Sequence, residues 1–399
     1  MRCLEMKISR FNKDCGNSVD MNIMDGYLFD FPTNVVELQK DAADSFFTDA
    51  VTAPEEFKKR ILLSTTIHGE EKERYFLVGD IAASQLLANN HINKLHNKIT
   101  SHIPYITFLA AIAYYHALHA KNKKDNTIEI DYFSTMLPIW LLKKESTFGA
   151  AQKAMANRFL GDHSFTVHTP GFENTLKVVV EESACLKEGE SARFALKKDL
   201  TLQDREDANE YVECETVMVD IGGGSIDVVI LPEGLKAANS RESFQSIEGI
   251  PYLAHIDKLR KEKFLELFTD LRAFDQFILD NYSKQKFVLK NENTGESIDL
   301  TSTIKSSLRE YVEILLAKLN DVAPPPANKL RKYVYCGGVA PTLEVAIMNS
   351  MRDKIGEERT EKYHKVPQDS RHLNLFGLEI RSIGYVQKKQ AAEKKAIKS

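Results

Sequence analysis

The run Asp220-Ile221-Gly222-Gly223-Gly224-Ser225-Ile226-Asp227 carries the residue types best suited to chemistry. Thr216-Val217-Met218-Val219 before it reads as a buried strand that delivers the Asp220 carboxylate to its end. Val228-Val229-Ile230-Leu231 after it reads as the returning strand. Three glycines let the backbone approach a ligand closely and turn successive N–H groups inward, as phosphate binding requires. Ser225 adds a hydroxyl donor. A carboxylate beside phosphate needs a cation between them, so Asp220 implies Mg2+, held through water. A plain turn between core strands has no need of carboxylate, glycines and hydroxyl together.

Two weaker turns carry related chemistry. Asp14-Cys15-Gly16-Asn17-Ser18 repeats the pattern near the N-terminus. Alone it is an ordinary Asp/Gly/Asn turn. Paired with the second hairpin it becomes an opposing phosphate clamp, with Asp14 as another carboxylate toward the metal. Cys336-Gly337-Gly338-Val339-Ala340-Pro341 follows the apolar strand Tyr333-Val334-Tyr335 and precedes a helix. Its glycines permit a flat ring or sugar to pack on the backbone, although an isolated pair also suits a simple strand–helix turn.

Strands must position these turns. Met6 to Phe11, Val19 to Met24 and Tyr27 to Phe29 alternate in strand fashion, with Asp25-Gly26 as a hairpin signal, and predict a three-stranded meander. Further strands are expected at 71–79, 136–140, 165–168 and 176–180, with Pro170-Gly171 turning the last pair. Helices are expected at 103–120, 256–282, 303–319 and 343–351, and after 374–385. The stretch 188–215 reads as helix plus surface loop, and 287–300 as a hairpin around Asn293-Thr294-Gly295. Two copies of one strand–glycine turn–strand unit suggest two related domains. We expect them at 1–205 and 206–370, with 371–399 returning to the first and ending in a basic tail.

Composition sets outer limits. The 399 residues are 43% hydrophobic and 28% charged, which suits a soluble globular protein with an ample core. The net charge of −4 gives no general attraction to nucleic acid or anionic lipid. Lys388, Lys389, Lys394, Lys395 and Lys398 against Glu393 make the C-terminus basic. It reads as a solvated, frayed end that could also touch a polyanion. Five scattered cysteines without a C-x-x-C pair read as reduced thiols. The N-terminus lacks a secretory apolar core, and the apolar stretch from Tyr105 to Ala120 is too short to span a bilayer. The chain is therefore expected to be soluble and intracellular. His116 and His119 share a helix face but lack a third ligand, and His91 and His96 are weaker candidates. Leu259-Arg260-Lys261-Glu262-Lys263 reads as a solvated helix face. Ser225 does not match the G-x-S-x-G nucleophile elbow.

The three glycine-centred turns, two of them with aspartates, resemble in their order the actin, sugar-kinase and heat-shock chaperone superfamily of ATPases. Within it the chain is most similar to the bacterial actin-like plasmid-segregation proteins of the ParM type. Phe31-Pro32-Thr33-Asn34-Val35 resembles that family's "FPS-V" segment, and Tyr75-Phe76-Leu77-Val78-Gly79-Asp80-Ile81-Ala82 its "YxVGxxA". Val180-Glu181-Glu182-Ser183 resembles its "PES" segment and Asn374-Leu375-Phe376-Gly377 its "AN-xG". The resemblance spans nearly the whole chain.

It implies an α/β fold of two RNase-H-like, actin-like domains with a nucleotide cleft between them. It also implies an ATPase, with GTP open as a second nucleotide, whose Mg-nucleotide state forms filaments in the bacterial cytoplasm. Those filaments would segregate plasmid DNA through an adaptor protein bound to a centromere-like site, without direct sequence-specific DNA binding and without a membrane. By the same resemblance, Asp14, Gly16, Asn17 and Ser18 form the first phosphate loop. Glu182 orients the attacking water, with Glu181, Glu188 and Glu190 as rivals. Asp220 holds Mg2+, Gly222, Gly223, Gly224 and Ser225 bind the β- and γ-phosphates, and Gly337 and Gly338 pack on the nucleoside. One departure is plain: relatives carry a Lys seven residues after the first-loop Asp, where this chain has Met21. A small-molecule kinase or phosphatase of the same superfamily is the alternative. A chaperone is disfavoured because only fifteen residues follow Gly384.

Overall fold

The computed structural model describes residues 5–67, 70–84, 97–120, 126–291 and 293–398. They form two compact units. The first is Met1–Lys187 with Leu200–Gln203 and Leu375–Ser399, and the second is Glu188–Asp199 with Asp204–Asn374. The boundary expected at 205/206 thus falls earlier, after Lys187.

In the first unit the strands are β1 (Glu5–Ile8), β2 (Phe11–Cys15), β3 (Val19–Met24), β4 (Tyr27–Pro32), β5 (Val35–Leu38), β6 (Ile61–Thr66), β7 (Glu73–Val78), β8 (Thr127–Ile130), β9 (Phe133–Leu137), β10 (Gly161–Val167), β11 (Asn174–Val180) and β12 (Ser183–Lys187). Its helices are α1 (Lys40–Asp44), α2 (Pro54–Lys59), α3 (Asp80–Ala83), α4 (Ile103–His119), α5 (Ile139–Lys144) and α6 (Phe148–Asn157). The second unit holds α7 (Ala192–Lys197), β13 (Glu215–Ile221), β14 (Ile226–Leu231), β15 (Phe244–Ile247), α8 (Tyr252–Lys263), α9 (Leu271–Asn281), β16 (Val288–Lys290), β17 (Ser297–Asp299), α10 (Thr301–Val322), β18 (Arg331–Cys336), α11 (Ala340–Ile355), α12 (Glu357–Tyr363) and β19 (His364–Lys365). The closing helix α13 (Leu373–Lys398) starts there and continues into the first unit.

The first unit has one sheet ordered β1-β8-β11-β10-β6-β7-β5 and another ordered β12-β9-β2-β3-β4. The single strand expected over Met6 to Phe11 is therefore two strands in two sheets. The chain changes sheet at Ser9 and Arg10, whose N–H groups donate to the Asp25 carboxylate at 3.1 Å each. Alternation continues through the change, which is why periodicity alone missed it. One face of the second sheet packs on α4, which is apolar nearly all round and buried along almost its whole length. Phe11 stacks on Phe108 of that helix at 5.5 Å. On the other face Met21, Ile23 and Met136 pack with Leu375 and Leu378 of α13.

A buried carboxylate ties α13 to β2. Glu379 accepts from Asn12 Nδ2 at 2.5 Å and Arg10 Nε at 2.9 Å. Burial pushes its pKa up, and the Arg10 guanidinium opposes that shift. The basic end of the chain is not frayed: α13 runs to Lys398, and Lys389 pairs with Glu182 at 2.6 Å.

The second unit is built on a sheet ordered β15-β14-β13-β18-β19. Its central strand β13 is buried on both faces, antiparallel to β14 and parallel to β18, and so reads as a continuous apolar run. Asp270 caps α9 by accepting from Ala273 N at 2.9 Å. The helix expected at 256–282 is thus two, α8 and α9. Arg260 is not on a solvated face: it is buried, and its guanidinium donates to Asp257 and to the carbonyls of Phe268 and Thr269 at 2.9 to 3.1 Å. Periodicity of charge cannot show that carbonyls in the loop before a neighbouring helix need a donor.

Replacing Glu379 with Ala leaves the Arg10 cation without its buried partner, and we expect a loss of about 3 kcal/mol in urea unfolding. Glu379→Gln should lose less, because it still accepts from Asn12. Burial holds the His364 imidazole down at about 4. Between that value and its ordinary value near 6.5 the unfolded chain binds the proton and the folded chain does not, so stability falls as pH drops through this window. Urea unfolding of His364→Gln between pH 7 and 4 should show a shallower decline than wild type.

Candidate functional site

Asp220 is the penultimate residue of β13, facing Asp227 on β14 and Cys336 on β18. It is only 8% exposed. A buried carboxylate requires donors, and Asn374 supplies one: its Nδ2 donates to Asp220 Oδ2 at 2.5 Å. The other end of the same amide accepts from Gly189 N at 2.9 Å and Ser191 Oγ at 3.1 Å. One side chain therefore fixes both the carboxylate and the segment leading into α7. The loop that follows is closed by Gly222 N donating to Ser225 O at 2.9 Å. It is tied to α8 by Leu253 N donating to Gly223 O, also at 2.9 Å.

Gly337 completes the arrangement. It has φ of 93°, and a Cβ there would collide with Asp220 Oδ1 and lie 2.8 Å from the Ile221 carbonyl oxygen. Its N–H donates to Ser370 O at 3.0 Å, and Val339 N donates to Ile221 O at 3.0 Å. Asp220, the Gly222 to Ser225 loop and Gly337 are thus brought together within the second unit. Gly338 is exposed, with open space where a side chain would stand.

The first hairpin repeats this register. Asp14 lies within β2, not in the turn, and faces Met21 on β3. Asp220 faces Asp227 in the same way, so in each hairpin the loop aspartate looks across at the residue seven positions later. The turn Gly16-Asn17-Ser18 is held by Thr33, whose Oγ1 donates to Gly16 O at 2.8 Å and whose N–H donates to Ser18 O at 2.9 Å. A Cβ on Gly16 would collide with the Val19 carbonyl.

Met21 therefore occupies the position where the family resemblance expects a Lys, and it packs into the apolar cluster under α13. A lysine does lie close by. Lys13 has no exposed side-chain surface; its Nζ donates to Asp20 Oδ1 and to Asn22 Oδ1, the latter at 3.2 Å. Asp20 Oδ2 has no partner among the described residues. Adjacent strand residues point to opposite faces, so Lys13 lies across the sheet from Asp14 and Met21. Burial pushes the Cys15 thiol up to about 11, against the pull of the Lys13 ammonium. Counting lysines only after Asp14 overlooks this residue, although its place in the strand was the available signal.

Glu182 stands elsewhere. β12 runs parallel to β9, and β9 parallel to β2. Glu182 precedes β12 and so lies at the end opposite Lys187, about 17 Å back along the strand at roughly 3.3 Å per residue. Its carboxylate is taken by Lys389 at 2.6 Å and by the Tyr385 hydroxyl. Those two hydrogen bonds, Lys389 first, hold its pKa below the usual range. Lys187, at the other end of β12, is level with Leu137, the last residue of β9. Glu188 is the next residue, and Glu190 accepts from Ala238 N at 3.2 Å. His116 is buried, and the His119 ring lies 4.4 Å from Tyr115 and 5.3 Å from Tyr27. His91 and His96 lie outside the described residues.

Residues 215–370 match the family model of the Alp7A C-terminal domain. The crystal structure of actin-like protein Alp7A matches with a TM-score of 0.93 and 48% sequence identity, covering 98% of this chain and 100% of that one. The chain belongs to the Alp7A family of actin-like proteins. Two more distant structures share the fold. Bacillus thuringiensis ParM with AMPPNP has a TM-score of 0.65 at 15% identity over 96% of this chain and 99% of its own. A 15-stranded ParM filament from Clostridium botulinum has a TM-score of 0.64 at 16% identity over the same shares. No curated protein matches. The α/β, actin-like fold expected from the three turns is the fold of this Alp7A-family chain. No helix among the described residues is long and apolar enough to cross a membrane.

Asn374→Ala removes the Asp220 donor and the acceptor for Gly189 at once. We expect a loss of about 2 kcal/mol in urea unfolding. Asn374→Asp should cost at least as much near neutral pH, since it sets a second carboxylate against Asp220.

Proposed function

We propose that this Alp7A-family chain is a nucleotide-dependent, filament-forming ATPase that segregates plasmid DNA in the bacterial cytoplasm. The observation that carries the reading is a full-length match, at 48% identity, to an actin-like protein, with a buried aspartate delivered beside two glycine turns. The solved ParM relatives include complexes with ATP, ADP and AMPPNP and a 15-stranded filament. The same match favours this reading over the kinase or phosphatase alternative.

In this reading Gly222, Gly223, Gly224 and Ser225 donate to the β- and γ-phosphates of ATP or GTP. Gly16, Asn17 and Ser18 form the first phosphate loop, and Gly337 and Gly338 pack on the nucleoside. The donor set suits Mg2+: a single strand-end carboxylate, oriented by an amide, matches a cation that keeps most of its waters. Asp220 would hold it through water, with Asp14 as the second carboxylate. When bound, Mg2+ neutralises charge developing on the phosphates. The protein's part is then positioning and charge placement.

The water-orienting role passes from Glu182 to Glu188. The motif resemblance pointed to Glu182, but its carboxylate is occupied by Lys389 and Tyr385 at the far end of β12. Glu188 directly follows Lys187, which pairs with Leu137 at the other end of β12. Nucleotide binding would favour subunits competent to assemble and hydrolysis would weaken their contacts, a population shift set by differential affinity for the γ-phosphate. An adaptor protein on centromere-like DNA would couple filament to plasmid.

Light scattering with Mg2+ and ATP or GTP, read alongside phosphate release, tests the whole scheme. We expect scattering to rise with nucleotide and to decay as phosphate appears. Phosphate release without any rise, across a wide range of protein concentration, would favour the kinase or phosphatase. Asp220→Ala should abolish Mg-nucleotide binding. Glu188→Ala should bind nucleotide, assemble and lose turnover by about a hundredfold or more, whereas Glu182→Ala should turn over normally; the opposite pattern would return the role to Glu182.

A further inference from the structure

The second unit contains a cavity of about 590 Å³ that the nucleotide reading does not use. It lies against one face of β18, where the alternate residues Arg331, Tyr333 and Tyr335 line it. Leu316 and Leu319 of α10 form one wall, and Met351 and Ile355 of α11 another. That volume is in the usual range for a small-molecule site, and an apolar interior with few polar groups is the usual composition of one.

Its charge is one-sided. Lys329, Arg331, Lys354 and Arg359 line the cavity, and none of its lining residues is Asp or Glu. The balancing carboxylates stand outside the lining: Glu215 meets Lys329 at 3.2 Å and Arg331 at 2.8 Å, and Glu313 meets Lys354 at 2.6 Å. Lys329, Lys354 and Arg359 are exposed, whereas the Arg331 side chain is only 10% exposed. Arg331 directs Nη1 to the Pro324 carbonyl at 2.5 Å, yet its buried Nε–H has no acceptor among the described residues. A guanidinium with an unused donor, inside a cavity whose charged lining residues are all cationic, has capacity for an anionic acceptor.

The floor is neutral. The Tyr335 hydroxyl lies 2.9 Å from His364 Nδ1, and Tyr333 stacks on the same ring at 5.0 Å. Burial keeps His364 uncharged at neutral pH, so the floor adds a flat aromatic surface and no further positive charge. The cavity therefore offers cations at the mouth and aliphatic and aromatic surface within.

We propose that this cavity binds a small amphipathic carboxylate, its apolar body between α10 and α11 and its head among Lys354, Arg359 and Arg331. The site is independent of the nucleotide chemistry assigned above, because none of its residues belongs to the phosphate or nucleoside turns.

Isothermal titration with decanoate, and with decanol as the uncharged counterpart, tests it on the full chain without nucleotide. We expect one decanoate per chain, bound at least about tenfold more tightly than decanol, since charge-assisted hydrogen bonds are the stronger ones. Lys354→Glu with Arg359→Glu, both on the surface, should weaken decanoate by about tenfold or more and leave decanol unchanged. Met351→Trp, which fills the interior, should abolish both. The surface pair keeps the test decisive if the tryptophan does not fold. Absence of decanoate binding up to millimolar concentration, equal affinity for decanol, or full binding in both variants overturns the proposal.

Discussion

The Asp220 carboxylate can occupy its buried position because Gly337 has no side chain. β13 and β18 run parallel and in register, so the residue after Cys336 falls against the end of β13. Any Cβ at that point would strike Asp220 Oδ1. The vacated space lets the carboxylate turn toward Asn374, and the same amide gathers Gly189 and Ser191. A buried anion without donors is costly, so this one amide and this one missing methyl group set the geometry at the start of the second glycine loop. Asn374 is the second residue of α13.

The two hairpins show how one geometry accepts different side chains. In each, the loop aspartate faces the residue seven positions later across an antiparallel pair. That partner is Asp227 in one and Met21 in the other. Met21 has become part of the apolar cluster beneath α13, so a lysine there would place an ammonium among Leu375, Leu378 and Ile23. A lysine stands instead one residue before Asp14, on β2 and on the opposite face, where Asp20 and Asn22 receive its ammonium. A buried ion pair of this kind contributes little net stability, but breaking it singly is expensive, and it joins β2 to β3 beside the glycine turn.

Glu182 and Glu188 illustrate what a local likeness can and cannot convey. A segment that resembles a family motif fixes residue types, but the pairing of strands fixes which end of a strand meets the loops. β12 is five residues long, and its length separates Glu188, which follows it, from Glu182, which precedes it and is held by the closing helix. The basic C-terminus changes meaning for the same reason: its lysines ride on a formed helix, and one of them neutralises Glu182.

The sequence by itself determined the glycine turns, the strands feeding them, the long apolar helix and, through their order, the fold family. These are local signals: a carboxylate before glycines, alternation in strands and an apolar face extending round a helix all act within a few residues. Tertiary structure alone decided the sheet change at Ser9, the donor for Asp220, the burial of Lys13 and Arg260 and the place of Glu182. Each depends on partners far away in the chain, such as Asn374 for Asp220 or Glu379 for Asn12. Hydrogen bonding and burial are set by which surfaces meet, and a periodic pattern says that a surface is apolar without saying what will cover it.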